Sequence, residues 1–251
     1  MSERARAGPP AASASDDPAA TARAVKEMFA AVAPRYDFLN HFLSFGTDLL
    51  WRRAAARAVK DVLARPGSVA LDVCCGTGDL ALAFARHSRG RVLGADFCHP
   101  MLVRARLKAE RRGNRVRLVG ADTLALPLPD DSLDLIGVAF GFRNLADYER
   151  GLEEMRRVLK PGGVAAILEF SRVRSALLGP LFRIYFHRIL PALGTWISGV
   201  RGPYQYLPDS VSRFPDQDEL AELMRRRGFR NVRYRNFSAG IAALHLGERS
   251  S

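Results

Sequence analysis

The residues best placed to do chemistry are Asp72, Gly76, Thr77, Gly78 and Asp96, in two segments about one strand-and-helix unit apart. The first segment reads Val69-Ala70-Leu71-Asp72-Val73-Cys74-Cys75-Gly76-Thr77-Gly78-Asp79-Leu80. Its apolar opening, Val69–Val73, predicts a strand covered on both faces. Gly76 and Gly78 then permit positive φ and close approach of backbone to a ligand. Asp79 stands where it can cap or charge the first turn of a helix over Leu80–Arg86. A strand that feeds such a turn into a helix places a ligand at the carboxyl end of an α/β sheet.

The ligand is not expected to be a dinucleotide. That site wants G-x-G-x-x-G with a pyrophosphate on the helix N-terminus. Here the pattern is Asp72-x-Cys74-x-Gly76-x-Gly78. A carboxylate beside the turn repels pyrophosphate and suits an ammonium group. The second segment, Val92-Leu93-Gly94-Ala95-Asp96, closes a strand with an acid that can accept both hydroxyls of a ribose. Ammonium and ribose together point to S-adenosylmethionine, with a redox or nucleotide-sugar Rossmann unit as the alternative. Asp122, after a third strand, stands where a side chain can bond the adenine amino group.

These residues need a parallel sheet to hold them. Strands are expected at Val69–Val73, Arg91–Asp96, Val116–Val119, Leu133–Phe140 and Val164–Phe170. Helices are expected at Pro100–Arg111 and Asp147–Leu159. The second helix stops at Lys160-Pro161-Gly162-Gly163. Alternation of this kind gives a Rossmann-like, doubly wound α/β sheet. Helix Gln217–Arg227 and strands Asn231–Phe237 and Ile241–Gly247 close the chain, with one antiparallel strand near the end.

Two segments lie outside the alternation. Residues 21–65 precede the first strand and are expected to fold as lid helices, over Val25–Ala33 and from about Thr47 onward. Pro34–Asn40 reads as a helix break between them. Tyr36, in that break, can reach the site or pack in the core. Residues 175–214 carry Phe182, Tyr185, Phe186, Trp196, Tyr204, Tyr206 and Phe214, which fits a cap over an apolar substrate or a membrane surface. Residues 1–20 are rich in Ala, Ser, Pro and Asp and read as a disordered tail. Residues 21–247 read as a single domain.

With 251 residues and 48% hydrophobic content, the chain can bury a sizeable core. The net charge of +12 admits an anionic membrane, nucleic acid or only an arginine-rich composition. The three cysteines form no disulfide framework and no zinc pattern, so a cytoplasmic setting is expected and no metal. There is no apolar run long enough to span a bilayer and no secretory signal.

The residues resemble the menaquinone and ubiquinone biosynthesis C-methyltransferases, from about Val25 to Gly247. The resemblance is carried by Met28-Phe29, Tyr36-Asp37 with Asn40, Ser44-Phe45-Gly46, Trp51-Arg52 and the glycine turn. It continues through Phe140-Gly141 with Arg143-Asn144, Arg157–Gly163, Leu168-Glu169-Phe170-Ser171, and Phe214-Pro215 with Gln217. Ala239-Gly240 with Ala243-Leu244-His245 completes it. It implies a class I S-adenosylmethionine-dependent methyltransferase that binds its cofactor at Thr77, Asp96, Asp122 and Thr123. Ala139 departs from the serine frequent in relatives, which puts a side-chain contact there in doubt. Cys74 takes the place of a small residue, so the turn must make room for it.

The implied reaction moves a methyl to a ring carbon of an isoprenoid quinol, with demethylmenaquinol preferred as substrate. A quinol carbon is a weak nucleophile until a neighbouring hydroxyl ionises, so the site must stabilise that charge. Arg143 is the candidate for the quinolate oxygen, Asn144 for orienting the ring oxygen, and Tyr36 for the opposite side. The alternatives are a ubiquinone precursor as substrate, small-molecule O-methylation, RNA methylation and a non-catalytic scaffold. The sequence has no Asp/Asn-Pro-Pro-Tyr/Phe after the fourth strand and no cysteine after Cys98, so nucleic acid is not the expected partner. The prenyl tail suggests contact with the inner face of the plasma membrane. A homodimer stays open.

Overall fold

The computed structural model describes residues 18–33, 36–114, 116–174, 178–191 and 203–250. Residues 1–17 of the tail expected over residues 1–20, and the middle of the cap, residues 192–202, lie outside the described residues.

Seven strands form one sheet in the order β3-β2-β1-β4-β5-β7-β6. They are β1 (Val69–Val73), β2 (Arg91–Asp96), β3 (Arg117–Gly120), β4 (Leu133–Ala139), β5 (Leu159–Phe170), β6 (Phe229–Phe237) and β7 (Ala242–Arg249). The first five run parallel, and β7 is antiparallel to both β5 and β6. Strand β1 is interior, between β2 and β4, and buries apolar residues on both faces. Leu71 and Val73 enter one core with Ile136, Val138 and Leu152. Ala70 enters the other with Phe84, Leu80 and Ala56. A fully buried side chain such as Leu71 contributes roughly 1.5–3 kcal/mol relative to exposure.

Helices cover both faces: α1 (Pro18–Val32), α2 (Tyr36–Leu43), α3 (Thr47–Ala58), α4 (Lys60–Leu63), α5 (Asp79–Ala85) and α6 (His99–Arg111). They continue with α7 (Tyr148–Val158), α8 (Leu178–Ile184), α9 (Pro203–Arg213) and α10 (Gln217–Arg226). A π-helical turn, Tyr185–Ile189, extends α8. Caps explain two starts. Asp147 accepts from the Arg150 N–H, and Asp216 forms a capping box with Glu219.

The structure corrects several boundaries. Tyr36–Asn40 is helix, not break: α2 begins at Tyr36, with Leu39 and Leu43 buried against Phe186 and Leu190. The tail boundary also moves, because Pro18–Ala20 already belong to α1. Of the two places expected for Asp79, the structure gives the first turn of α5; the cap is Gly78, in a left-handed conformation without a side-chain bond. Strand β5 starts at Leu159 rather than Val164. Leu159 pairs with Leu133, and the register resumes at Val164 with Leu135, so Lys160–Gly163 stops the helix and bulges the strand. Strands β1, β2, β3 and β5 run parallel, so Asp72, Asp96, Asp122 and Glu169 all come at or just past the same, carboxyl end of the sheet.

Candidate active site

Asp72 closes β1 with 1% exposure. Its Oδ2 accepts the Ala81 N–H at 2.8 Å, while its Oδ1 is buried without a partner. Burial, ahead of repulsion from Asp96 and Asp79, pushes its pKa well above the usual carboxylate range. Asp96 closes β2 and accepts from the Gly76 and Cys98 N–H groups, each at 2.8 Å. Burial raises its pKa as well, against those bonds. Between the two acids the turn takes positive φ at Cys74, Gly76 and Gly78. A Cβ on Gly76 would meet nothing closer than a Tyr36 ring carbon at 4.0 Å, so its backbone faces an open cleft.

That cleft is lined by Tyr36, Asp37, Asp72, Gly76, Thr77, Asp96, Asp122, Thr123 and Asn144, among others. The expected cofactor residues Asp72, Gly76, Thr77, Asp96, Asp122 and Thr123 therefore share one wall system; Gly78 is not among its lining residues and serves the turn. Asp122 is spent in part on the Leu124 N–H at 2.9 Å, and Thr123 lies 3.3 Å from the Cys74 sulfur. Cys74 is thus accommodated by turning onto Thr123 and against Gly141.

The lid is tied to this cleft by charge. Thr77 donates to Asp37. Lys108 on α6 reaches Asp37 at 2.5 Å, Asp79 at 3.0 Å and Thr77 at 3.0 Å. One turn further along the same face of α2, His41 Nδ1 bonds Asp48 at 2.9 Å, and Arg52 meets the same carboxylate at 2.5 Å. Bonds from His41, Arg52 and Ser44 outweigh burial and bring Asp48 to about 2.

A second cavity adjoins the first. It is lined by Phe45, Trp51, Phe170, Phe182, Tyr185, Phe186, Leu190 and Leu207, with Arg143 in its wall. Tyr36, Asn40, Asp48, Arg52 and Phe140 line both cavities and form the seam. Tyr36 is half-buried there, and desolvation raises its pKa although Arg143 and Arg52 oppose the shift. Arg143 is 6% exposed, and its Nη1 bonds both oxygens of Glu169, at 3.1 and 3.0 Å. Asn144 stands apart from Arg143. It lines the first cavity, not the apolar one, and accepts from the Tyr206 hydroxyl at 3.0 Å.

Residues 18–249 match the ubiE/COQ5 methyltransferase family. The chain belongs to that family. The demethylmenaquinone methyltransferase of Thermus thermophilus is 51% identical over 223 residues, covering 88% of this chain and 100% of the relative. That of Deinococcus radiodurans is 48% identical, covering 90% and 93%. Among solved structures, an S-adenosylmethionine-dependent methyltransferase from Aquifex aeolicus superposes with a TM-score of 0.57 at 21% identity, covering 77% of this chain and 88% of that one. It shares the fold.

As a ubiE/COQ5 family member the chain is a methyltransferase that uses S-adenosylmethionine. The first cavity fits that cofactor. The orphaned Oδ1 of Asp72 answers a cationic amine, whose charge would oppose the effect of burial on the acid. Asp96 lies one strand over, where a ribose is expected. Sequence reasoning left several site residues without a role: Asp37, His41, Asp48, Arg52, Lys108 and Glu169. Glu169 had a visible signal, since it ends an apolar strand as Asp72 and Asp96 do. Asp48 and Arg52 had the i,i+4 spacing of a helical ion pair. Lys108 had no signal, because its partners come from α2 and α5.

Proposed function

We propose that this enzyme transfers a methyl from S-adenosylmethionine to a ring carbon of demethylmenaquinol, giving menaquinol. The observation that carries this reading is the seam. A polar cleft suited to the cofactor meets an aromatic chamber across Tyr36, Asn40, Asp48, Arg52 and Phe140. The names of the Thermus and Deinococcus relatives support the same substrate.

The cofactor, when bound, supplies a methyl on a sulfonium. Everything else falls to the chain. Cleft and chamber hold donor and ring in line, which can supply several kcal/mol of the barrier. Arg143 faces the ring oxygen, whose hydroxyl proton leaves to make the carbon nucleophilic. The carbon–methyl bond then forms as the sulfur–methyl bond breaks. The ring hydrogen departs as a proton and the oxygen regains one, so the net release is one proton. Tyr36 bounds the ring from the lid side. The stack of Trp51, Phe140, Phe170, Phe186 and Phe182, with centroid spacings from 4.7 to 6.0 Å between neighbours, offers the ring and tail an apolar, water-poor wall.

The prenyl tail extends this reading to a membrane surface on the cytoplasmic side. Phe38, Phe42 and Phe45 are 61, 50 and 83% exposed, and Phe45 also lines the chamber. No helix among the described residues is long and apolar enough to cross a membrane, so contact would be peripheral.

The experiment is a methyl-transfer assay with labelled S-adenosylmethionine. Reduced demethylmenaquinone and a demethylated ubiquinone precursor are offered in parallel, and the methylated atom is located by mass spectrometry. Ring-carbon methylation of the naphthoquinol supports the reading. Methylation of the benzoquinol alone, or on oxygen, overturns it.

A further inference from the structure

Glu169 accepts four hydrogen bonds, three of them from Arg143. Its Oε1 accepts from Arg143 Nη1 and from the Arg143 backbone N–H, both at 3.1 Å. Its Oε2 accepts from Nη1 and from the Phe170 N–H, both at 3.0 Å. The carboxylate is 1% exposed and sits on the last turns of β5, in register with Ala243 of β7. Nη1 also donates to the Phe140 carbonyl, and the guanidinium lies 5.5 Å from the centre of the Phe170 ring. One nitrogen of Arg143 is therefore fully spent on the protein. Its Nη2 takes no hydrogen-bond partner among the described residues, and Arg143 lines the aromatic chamber.

We propose that Glu169 is a positioning residue that aims Arg143 into the chamber, and that it is the fixed counter-charge limiting how strongly Arg143 stabilises the quinol's anionic oxygen; this rests on the quinol reading above. A lone buried guanidinium would pull the hydroxyl proton off more strongly, but it would be free to swing and costly to bury. The paired one is neutral from a distance and positive at close range. It favours the anion only where the ring oxygen sits against Nη2. The other charged and titratable groups facing this pair are Tyr36 from α2, Asp48 and Arg52 from α3, Tyr148 from α7, Tyr206 and Arg213 from α9, and Cys74 in the turn. None of them touches both oxygens of Glu169, and no other cation bonds it among the described residues.

The test uses the full chain with Glu169→Gln and Glu169→Asp. The first readout is the acidic limb of the kcat–pH profile with reduced demethylmenaquinone. The second is the absorbance titration of bound 1-naphthol, a ring hydroxyl that needs no methyl transfer. Glu169→Gln removes one negative charge, so the limb and the naphthol titration both move to lower pH by about one unit or more. Glu169→Asp keeps the charge but shortens the reach, so kcat falls about tenfold or more while the titration stays in place. If the wild type methylates the quinol and Glu169→Gln moves neither readout, the counter-charge role is overturned. If the wild type methylates no quinol but the naphthol titration shifts as stated, the substrate reading fails and the role of Glu169 stands. Should Glu169→Gln not fold, Glu169→Asp decides: wild-type kcat, or a shifted titration, overturns the proposal.

Discussion

Cys74 and Gly141 are locked together at the mouth of the cofactor cleft: a Cβ built on Gly141 would lie 2.4 Å from the Cβ of Cys74. Cys74 has φ +49°, where a side chain costs about 1–2 kcal/mol. The turn accepts a residue larger than glycine because the loop after β4 gives up its own side chain. Gly141→Ala should therefore destabilise the fold by roughly 1–3 kcal/mol. Cys74→Gly should be neutral or stabilising, and it should recover most of the Gly141→Ala loss in the double variant. Urea midpoints for the four proteins close the cycle. Additive effects would mean that the two residues do not share this space.

Asp96 should be the most sensitive cofactor residue. Both its oxygens already order the turn through Gly76 and Cys98. Asp96→Asn presents an N–H to one of those donors and removes a charged acceptor. A loss of cofactor affinity of about tenfold or more is expected, in line with roughly 1.5–3 kcal/mol for a hydrogen bond to a charged group. Calorimetric titration with S-adenosylmethionine measures it directly. Affinity within a factor of two of wild type would remove Asp96 from the site.

Arg143 should behave in the opposite way. It lines the aromatic chamber and not the cofactor cleft. Arg143→Lys keeps a charge for Glu169 but loses the planar fork. Turnover should fall about a hundredfold, with cofactor affinity unchanged. A matched loss of both would show that the residue only supports the fold.

The sheet was legible because its strands are short apolar runs that end in acids or glycines, and each such end is a local signal. Asp72, Asp96 and the glycine turn follow from that alone. The lid was less legible. Pro34–Asn40 reads as a break, but Leu39 and Leu43 have a cap helix to pack against, and that contact makes Tyr36–Leu43 a helix. The Lys108 contacts to Asp37 and Asp79 join α6 to α2 and α5, and no spacing along the chain encodes them. Arg143 and Asn144 are sequence neighbours that face different cavities, because a single 3₁₀ turn, Phe142–Asn144, separates their directions.

His41 links the lid to pH. Its pKa is raised, chiefly by the hydrogen bond to Asp48, against the effect of burial. A raised histidine stabilises the folded state fully below its unfolded value of about 6.5 and loses that contribution as pH rises through the folded value. The melting temperature of wild type relative to His41→Gln should thus be highest near pH 5 to 6 and should converge at alkaline pH. A change of 1 kcal/mol corresponds to about 2–4 °C for a chain of this size. Scanning calorimetry from pH 5 to 9 tests this, and a gap independent of pH would mean that the imidazole charge does not hold the lid.

Phe38 and Phe42 offer the cleanest test of membrane contact. They stack at 5.9 Å on the outer face of α2, while Leu39 and Leu43 face inward. Neither phenylalanine lines the chamber, so the pair can be changed without touching the walls that receive the ring. Burying one phenylalanine is worth roughly 1.5–3 kcal/mol. Replacing both with serine should weaken binding to vesicles of phosphatidylglycerol by about a hundredfold or more. The fold itself should change little, since half or more of each residue is already exposed. The charge of +12 adds a salt-dependent attraction to such vesicles, so the residual binding should fall further as ionic strength rises. Co-sedimentation at two salt concentrations separates the two contributions. Binding that depends on salt but not on Phe38 and Phe42 would leave charge alone as the membrane attachment and remove α2 from the interface.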